Sequence, residues 1–243
     1  MMYLSRIPLN PARRGTRKFL SSPQVIHAAV MLSFAPDALT RASNDGRVLW
    51  RLDQNPHHLH LYVVSPAEPD FTHIVEQAGW PTTGAWATRK YSQLLDQLAA
   101  GQRWHFRLTA NPVGGTPGRS TEHLRGKRIG LKTADQLDWL RRKATDNGFR
   151  LAECGPDTLR EDDVALIGRS TMQFGRDDAD ELALVDRSTV QFRRSKATVT
   201  LSVATYEGIL TVTDSERLRA ALINGIGRAK GYGCGLLTLA PVQ

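Results

Sequence analysis

Cysteine is almost missing from this 243-residue chain: Cys154 and Cys234 stand alone, too few for a disulfide framework and without the paired spacing of a zinc site. Long apolar runs are missing too, and no stretch approaches the length of a membrane span. The opening residues, Met1 to Asn10, alternate apolar and polar types and break at Pro8, which predicts a first strand rather than a signal peptide. Together these features predict a reduced, cytoplasmic setting with no membrane partner. Several reaction classes lose their signatures at once. Gly-x-x-x-x-Gly-Lys-Ser/Thr, Gly-x-Ser-x-Gly and His-Glu-x-x-His are all absent. Of seven histidines, only His58 and His60 share one face of a predicted strand, and no nearby cysteine or carboxylate cluster completes a ligand set. No metal and no cofactor are expected.

Negative charge is also scarce: 24 Asp and Glu face 32 Lys and Arg, for a net charge of +8 and a pI near 9.9. An excess of this kind points first to nucleic acid, and arginine supplies a planar fork suited to phosphate. No basic helix with a strong apolar face stands out, so a membrane surface is disfavoured. The basic residues cluster between predicted elements. One cluster is Arg13, Arg14, Arg17 and Lys18; a second is Arg119, Arg125, Lys127 and Arg128; a third is Arg193, Arg194 and Lys196, at a predicted hairpin. Any one of them reads as a solvated loop. Three together read as one polyanion-binding surface, whose affinity falls steeply with salt.

The length allows one large or two small domains. Periodicity predicts strand Tyr3–Leu9, helix Pro23–Phe34 with Ser22 as its cap, strands Arg47–Leu52 and Leu59–Val64, a helical piece at Phe71–Gln77, and a strand at Ala87–Tyr91. That order, β-α-β-β-α-β, is the ferredoxin-like pattern. It recurs: strand Arg103–Thr109, a helix from a Thr133/Gln136 capping box to Asn147, strands near 150–153, 164–174, 198–205 and 208–212, a helix from Asp214, and a last strand at Leu236–Leu239. The expected fold is α+β, two tandem ferredoxin-like (RRM-like) domains over residues 1–96 and 97–243.

Between the last helix and the last strand, Gly225, Gly227, Gly231, Gly233 and Gly235 alternate with Arg228 and Lys230. Glycine lets backbone approach a partner closely, and the two cations suggest an anion. A nucleotide site is disfavoured because phosphate loops run from strand to helix, whereas this one runs from helix to strand. A glycine-rich turn with packing constraints is the plainer alternative. His27 falls on the shoulder of the first predicted helix, beside Gln24 and Met31 and just after the Arg13–Lys18 cluster. An imidazole there would meet an anion gathered near the helix N-terminus, and would suit proton transfer to or from a ribose. A merely exposed helical histidine also fits the pattern.

Met2-Tyr-Leu-Ser-Arg6, Ser22-Pro-Gln-Val-Ile-His27, Phe106-Arg-Leu-Thr-Ala-Asn-Pro112, Leu137-Asp-Trp-Leu140, Tyr206-Glu-Gly208 and the Gly225–Pro241 segment occur in an order that spans nearly the whole chain. In these residues the sequence resembles the CasE family of type I-E CRISPR-associated endoribonucleases, within the RAMP superfamily. The resemblance implies tandem ferredoxin-like domains that bind the stem-loop of CRISPR repeat RNA. It implies metal-independent cutting at the 3′ base of the stem by 2′-OH attack, leaving a 2′,3′-cyclic phosphate. It also implies that the mature crRNA stays bound while the protein joins other Cascade subunits. His27 matches the family's catalytic histidine. Two positions depart from the family: Gln24 stands where relatives often have tyrosine, and Ala28 where a basic residue can follow the histidine. Catalytic support is therefore sought among Gln24, Arg17, Lys18, Lys132 and Arg228. The RNA-binding residues expected are Arg13, Arg14, Arg119, Arg125, Lys127, Arg128, Arg193, Arg194 and Lys196, with Gly225, Gly227, Arg228, Lys230, Gly231 and Gly233. A non-catalytic RNA-binding scaffold is the alternative.

Overall fold

The computed structural model describes residues 1–41, 46–80, 82, 84, 86–115, 128–152, 165–175 and 198–242. They form two units, the first comprising Met1–Gln93, Met172–Thr200 and Gly231–Gly233, the second Leu94–Thr171, Leu201–Lys230 and Cys234–Gln243. The division falls between Gln93 and Leu94, and two later segments join the first unit, which a split by chain order alone does not anticipate.

The first unit carries β1 (Tyr3–Pro8), α1 (Arg14–Ser21), α2 (Pro23–Met31), α3 (Ala38–Arg41), β2 (Leu49–Gln54), β3 (Leu59–Ser65), α4 (Thr72–Ala78) and β4 (Ala87–Lys90). Its antiparallel sheet has the order β2-β3-β1-β4. Strand alternation turns Ile7, Leu61 and Val63 to one face, where they meet Phe19, Val25, Ile26, Val30, Phe71 and Ile74 from the helices. This is the ferredoxin-like arrangement.

Two local expectations fail here. Arg13–Lys18 is not a loop: Arg14–Ser21 is helical despite lacking a side-chain cap or an acidic first turn. Tertiary packing makes the helix. Thr16 and Phe19 lie buried one turn apart, Thr16 donates its hydroxyl to Ala78 O at 2.8 Å, and Gly15 lies too close to the Gln77 carbonyl of α4 for any Cβ. Ser22 does precede α2, with Pro23 in the first turn, but its side chain makes no cap bond. Instead Ser22 O accepts from the Val25 and Ile26 amides, and Ser22 Oγ is buried without a partner.

After α5 (Ser92–Gln97), the chain runs through β5 (Arg103–Ala110), β6 (Val113–Gly115), β7 (Arg128–Gly130), α6 (Thr133–Asp146), β8 (Phe149–Leu151), β9 (Ala165–Gly175), β10 (Thr198–Val212), α7 (Ser215–Asn224) and β11 (Leu237–Pro241). The main sheet has the order β11-β5-β10-β8, β9 also pairs with β10, and β6 pairs with β7. Stripped of β6, β7 and β9, this is the strand order of the first unit. The fold is α+β with two ferredoxin-like units.

Here too the local chemistry differs in places. The two strands expected at 198–205 and 208–212 are one, because Gly208 keeps its register opposite Phe106 instead of turning. Thr133 is the first helical residue of α6, with Lys132 as its cap, so no capping box forms. Gln136, 1% exposed, instead donates to Leu131 O at 3.1 Å. At the other end Gly148 takes φ +77, the left-handed stop that glycine tolerates. Asp214 does cap α7, accepting from the Arg217 amide at 3.1 Å. On α7, Arg219 donates to Leu95 O at 2.6 Å and Leu98 O at 2.9 Å, satisfying carbonyls around the end of α5. Arg219→Ala takes the side-chain donor from Leu98 O and leaves Leu95 O only the Leu98 amide at 3.4 Å, and is expected to cost about 1–3 kcal/mol, read by denaturant unfolding. Among the described residues, no helix is long and apolar enough to cross a membrane.

Candidate active site

The site is built on α2. Pro23 suits the first turn, where a missing N–H costs nothing, and Val25, Ile26, Ala29 and Val30 bury one face of the helix in the core. That stripe turns His27 to the shoulder, where it is half-buried. The helix end is tied down twice: His73 Nε2 lies 3.0 Å from Ala29 O, and Ser33 Oγ donates to the same carbonyl at 3.1 Å. The His73 tie was not legible from the sequence, because His73 lies on α4 and only the fold brings it beside α2.

His27 Nδ1 is buried and has no hydrogen-bond partner. Its other edge faces glycine: a Cβ on Gly231 would lie 3.9 Å from both Cε1 and Nε2. Burial lowers the His27 pKa below its ordinary 6.5, so the neutral imidazole prevails at pH 7. Ser22 Oγ, Gln24 Oε1 and Trp50 Nε1, all in the first unit, are likewise buried and unpartnered. An imidazole with one free, glycine-facing nitrogen and a neutral resting state is equipped to take a proton from a hydroxyl.

The glycine segment is more structural than its sequence suggests. Gly225, Gly227, Gly233 and Gly235 all have positive φ, between +74 and +95. A Cβ on Gly227 would meet the Trp139 ring at 3.1 Å, and one on Gly233 the Trp50 ring at 2.6 Å. Gly235 abuts Ile226 O, at 2.8 Å from its would-be Cβ. Gly231 differs, sitting in the short 3-10 turn Lys230–Tyr232 with its open side toward His27. The sequence reading included Trp139 only within the Leu137–Leu140 motif and passed over Trp50, and it paired neither with a glycine, since neither adjoins one along the chain. Cys234 is buried beside this segment, which pushes its thiol up to about 12 and leaves it an inert packing group.

The basic residues divide. Arg14, Arg17 and Lys18 are exposed on α1. Arg13 instead directs Nη1 at Val75 O (3.5 Å) and Gly79 O (3.4 Å), around the C-terminus of α4, where a cation suits the helix dipole. Lys132 is exposed at the start of α6, and Arg228 is exposed in a backbone bridge to Asn111. Lys230 is half-buried, with Cγ 3.3 Å from the would-be Cβ of Gly235. Arg128 contributes its backbone to β7, opposite Gly115. Arg119, Arg125, Lys127, Arg193, Arg194 and Lys196, like Cys154, lie outside the described residues. Among the described residues, no three His, Cys, Asp or Glu side chains gather into a metal-binding group.

Comparison with known proteins agrees along the whole chain. A family model described as CRISPR associated protein matches residues 2–241. The chain is 30% identical to the CRISPR-associated endoribonuclease Cse3 of Thermus thermophilus, over 99% of its own length and 100% of the relative's. It is 30% identical to the CRISPR system Cascade subunit CasE of Escherichia coli, over 72% and 77% of the two chains. Among solved structures, the CRISPR endoribonuclease Cse3 bound to a 19-nucleotide RNA matches with a TM-score of 0.71 at 28% identity, covering 99% of each chain. The chain belongs to the CRISPR-associated protein family, in its Cse3/CasE group.

Proposed function

We propose that this chain is a metal-independent endoribonuclease that binds CRISPR repeat stem-loops in precursor RNA and cuts them to mature crRNA. The observation that carries the reading is the half-buried, neutral His27 imidazole, free at Nδ1 and facing Gly231 on its other edge. His27 takes the proton from the ribose 2′-OH at the cut site. O2′ bonds to phosphorus, the P–O5′ bond breaks, and the 5′ oxygen takes a proton as it leaves. The products are a 2′,3′-cyclic phosphate and a 5′-hydroxyl. Arg17, Lys18, Lys132 and Arg228 are the candidates to neutralise the phosphorane. Arg14, Arg119, Arg125, Lys127, Arg128, Arg193, Arg194, Lys196 and Lys230 hold the RNA by shape and phosphate contacts, with Gly231 beside the cut site. Arg13, in contrast, is engaged with Val75 O and Gly79 O, and the glycines packed on Trp50 and Trp139 serve the fold. The processed RNA stays bound, with other Cascade subunits as partners, as the names of the relatives suggest.

Gln24 has a defined place in this scheme. Its Oε1 and His27 Nδ1 are both buried and unpartnered, three residues apart on one helix face. Rotation of Gln24 joins them with Nδ1–H donating to Oε1, which leaves the Nε2 lone pair for the 2′-OH proton. Gln24→Ala is expected to slow cleavage about tenfold, the worth of one such bond. Gln24→Glu places a carboxylate beside the imidazole and raises its pKa. The rate needs neutral His27, so the acid limb of the pH–rate profile moves to higher pH in this variant. A profile unchanged in Gln24→Glu contradicts the pairing.

A second reading, a scaffold that binds RNA without cutting it, draws support from Gln24 and Ala28 at positions where relatives carry other side chains. Incubation of a repeat-hairpin RNA with the protein in EDTA decides between them. Cleavage in EDTA supports the proposal, tight binding without cleavage supports the scaffold, and cleavage only on adding metal overturns both.

A further inference from the structure

Three histidines that the site does not use, His57, His58 and His60, form a row. From His57 through His58 and His60 to Tyr62, successive ring centroids lie 6.3, 5.6 and 6.1 Å apart. Leu59, Leu61 and Val63 point into the helical core, so alternation along β3 puts His60 and Tyr62 on the opposite face of the first sheet, where both are half-buried while Leu49, Arg51 and Val64 of the same face are buried. The row is built in advance. Asn55 Oδ1 accepts from the His57 and His58 amides at 3.0 and 2.7 Å, fixing the turn that presents them. Arg51 lies 5.6 Å over the Tyr62 ring and donates to both Asp53 carboxylate oxygens at 2.6 and 2.8 Å, so the ring has a fixed support.

Cations border the rings. Register places Arg6 beside Tyr62 across β1, and Arg89 beside Leu4 in the next row. Arg6, Arg89, His57 and His58 are exposed, while His60 and Tyr62 are half-buried. Burial, then Arg6 and His58, hold the His60 imidazole below its ordinary pKa, with Asp53 pulling the other way. The ring is therefore neutral at pH 7, and suited to stacking more than to ion pairing. Among the described residues, none of the exposed large apolar side chains (Met1, Leu20, Met31, Leu32 and Trp80) belongs to this row, which argues against a protein partner.

We propose that the accessible end of this sheet face, from His57 to Tyr62, is a stacking platform for single-stranded RNA, separate from the His27 site. The rings offer flat surfaces to unpaired bases, and Arg6 and Arg89 meet the phosphates between them. A paired stem hides its base faces in its own stack and gains nothing here, so the ligand is the unpaired RNA that flanks a hairpin. This deepens the proposed function and rests on it for the identity of the flanking strand.

Two labelled probes test it on the full chain: an oligouridylate of about twelve nucleotides and a blunt RNA hairpin with no flank. For His60→Ala/Tyr62→Ala, the expected result is a loss of about tenfold or more in oligouridylate affinity, with hairpin affinity within about twofold of wild type. Tyr62→Phe keeps the stacking surface and should bind both probes like wild type. Should the double variant melt early, the exposed pair Arg6→Ala/His58→Ala serves in its place, with the same selective loss expected. Equal oligouridylate binding by wild type and variants overturns the platform, as does an equal loss for both probes or no binding of oligouridylate by wild type. Failure of wild type to bind the hairpin refutes the proposed function instead, and the oligouridylate comparison still decides the platform.

Discussion

His27→Ala is expected to slow cleavage of a repeat hairpin by about 10²–10⁴-fold, the usual worth of a positioned general base. Hairpin affinity should remain within about twofold of wild type, because binding rests on many phosphate contacts and not on one imidazole. Single-turnover rates and a binding titration on the same RNA separate the two effects. Since burial holds the His27 pKa below 6.5, the base is already in its active form at pH 7. The wild-type rate should therefore stay level through neutral pH and fall only in acid, below the ordinary histidine range. Stability follows the same direction. A histidine whose pKa is depressed by folding contributes fully above 6.5, and that contribution is lost as pH falls through the folded value. Removing the imidazole should leave a protein less sensitive to acid unfolding, while chemistry fails at every pH. An alanine variant that cuts at the wild-type rate would end the assignment.

Gly233→Ala is expected to destabilise the protein by about 2–4 kcal/mol, combining left-handed backbone strain with overpacking. The backbone at Gly233 has φ +79, and an added Cβ would stand 2.6 Å from the Trp50 ring. Trp50 is 3% exposed within the helical core of its unit, so the ring has nowhere to go. Any shift passes to Gly231, two residues away and facing the His27 edge, so cleavage should weaken along with stability. Gly231→Ala makes a useful contrast. Its Cβ would lie 3.9 Å from the imidazole, an ordinary contact, so the fold should tolerate it while the reacting edge becomes more crowded. Denaturant unfolding of the two variants, read beside their cleavage rates, distinguishes a packing glycine from one that faces chemistry. A Gly233→Ala protein as stable as wild type would contradict this view of the segment.

The parts of the fold that were legible in the sequence are those set by local pattern. Pro23 with the Val25, Ile26, Ala29 and Val30 stripe announced α2, and with it the place of His27 on its shoulder. Alternation announced the strands, and their order with the helices announced the ferredoxin-like units. Features fixed by distant contacts stayed hidden. Helix α1 exists because Thr16, Phe19 and Gly15 fit against α4, and its own residues carry no such signal. The glycines looked like an anion cradle because their packing partners, Trp50 and Trp139, stand far off in sequence. Arg13 reads as one more phosphate ligand until Val75 and Gly79 are seen to offer it carbonyls. The Thr133/Gln136 pair shows the converse failure: a correct local motif displaced when Lys132 takes the cap position and Gln136 is buried.

The central claim is that neutral His27 activates a ribose 2′-OH without metal. Mass spectrometry of the RNA ends made in EDTA tests it most directly, using a repeat hairpin with either ribose or 2′-deoxyribose at the cut nucleotide. The account predicts a 2′,3′-cyclic phosphate and a 5′-hydroxyl from the ribose substrate, and no cut at all in the deoxy substrate. Cleavage of the deoxy substrate, or 3′-hydroxyl and 5′-phosphate ends that appear only when metal is restored, would contradict it.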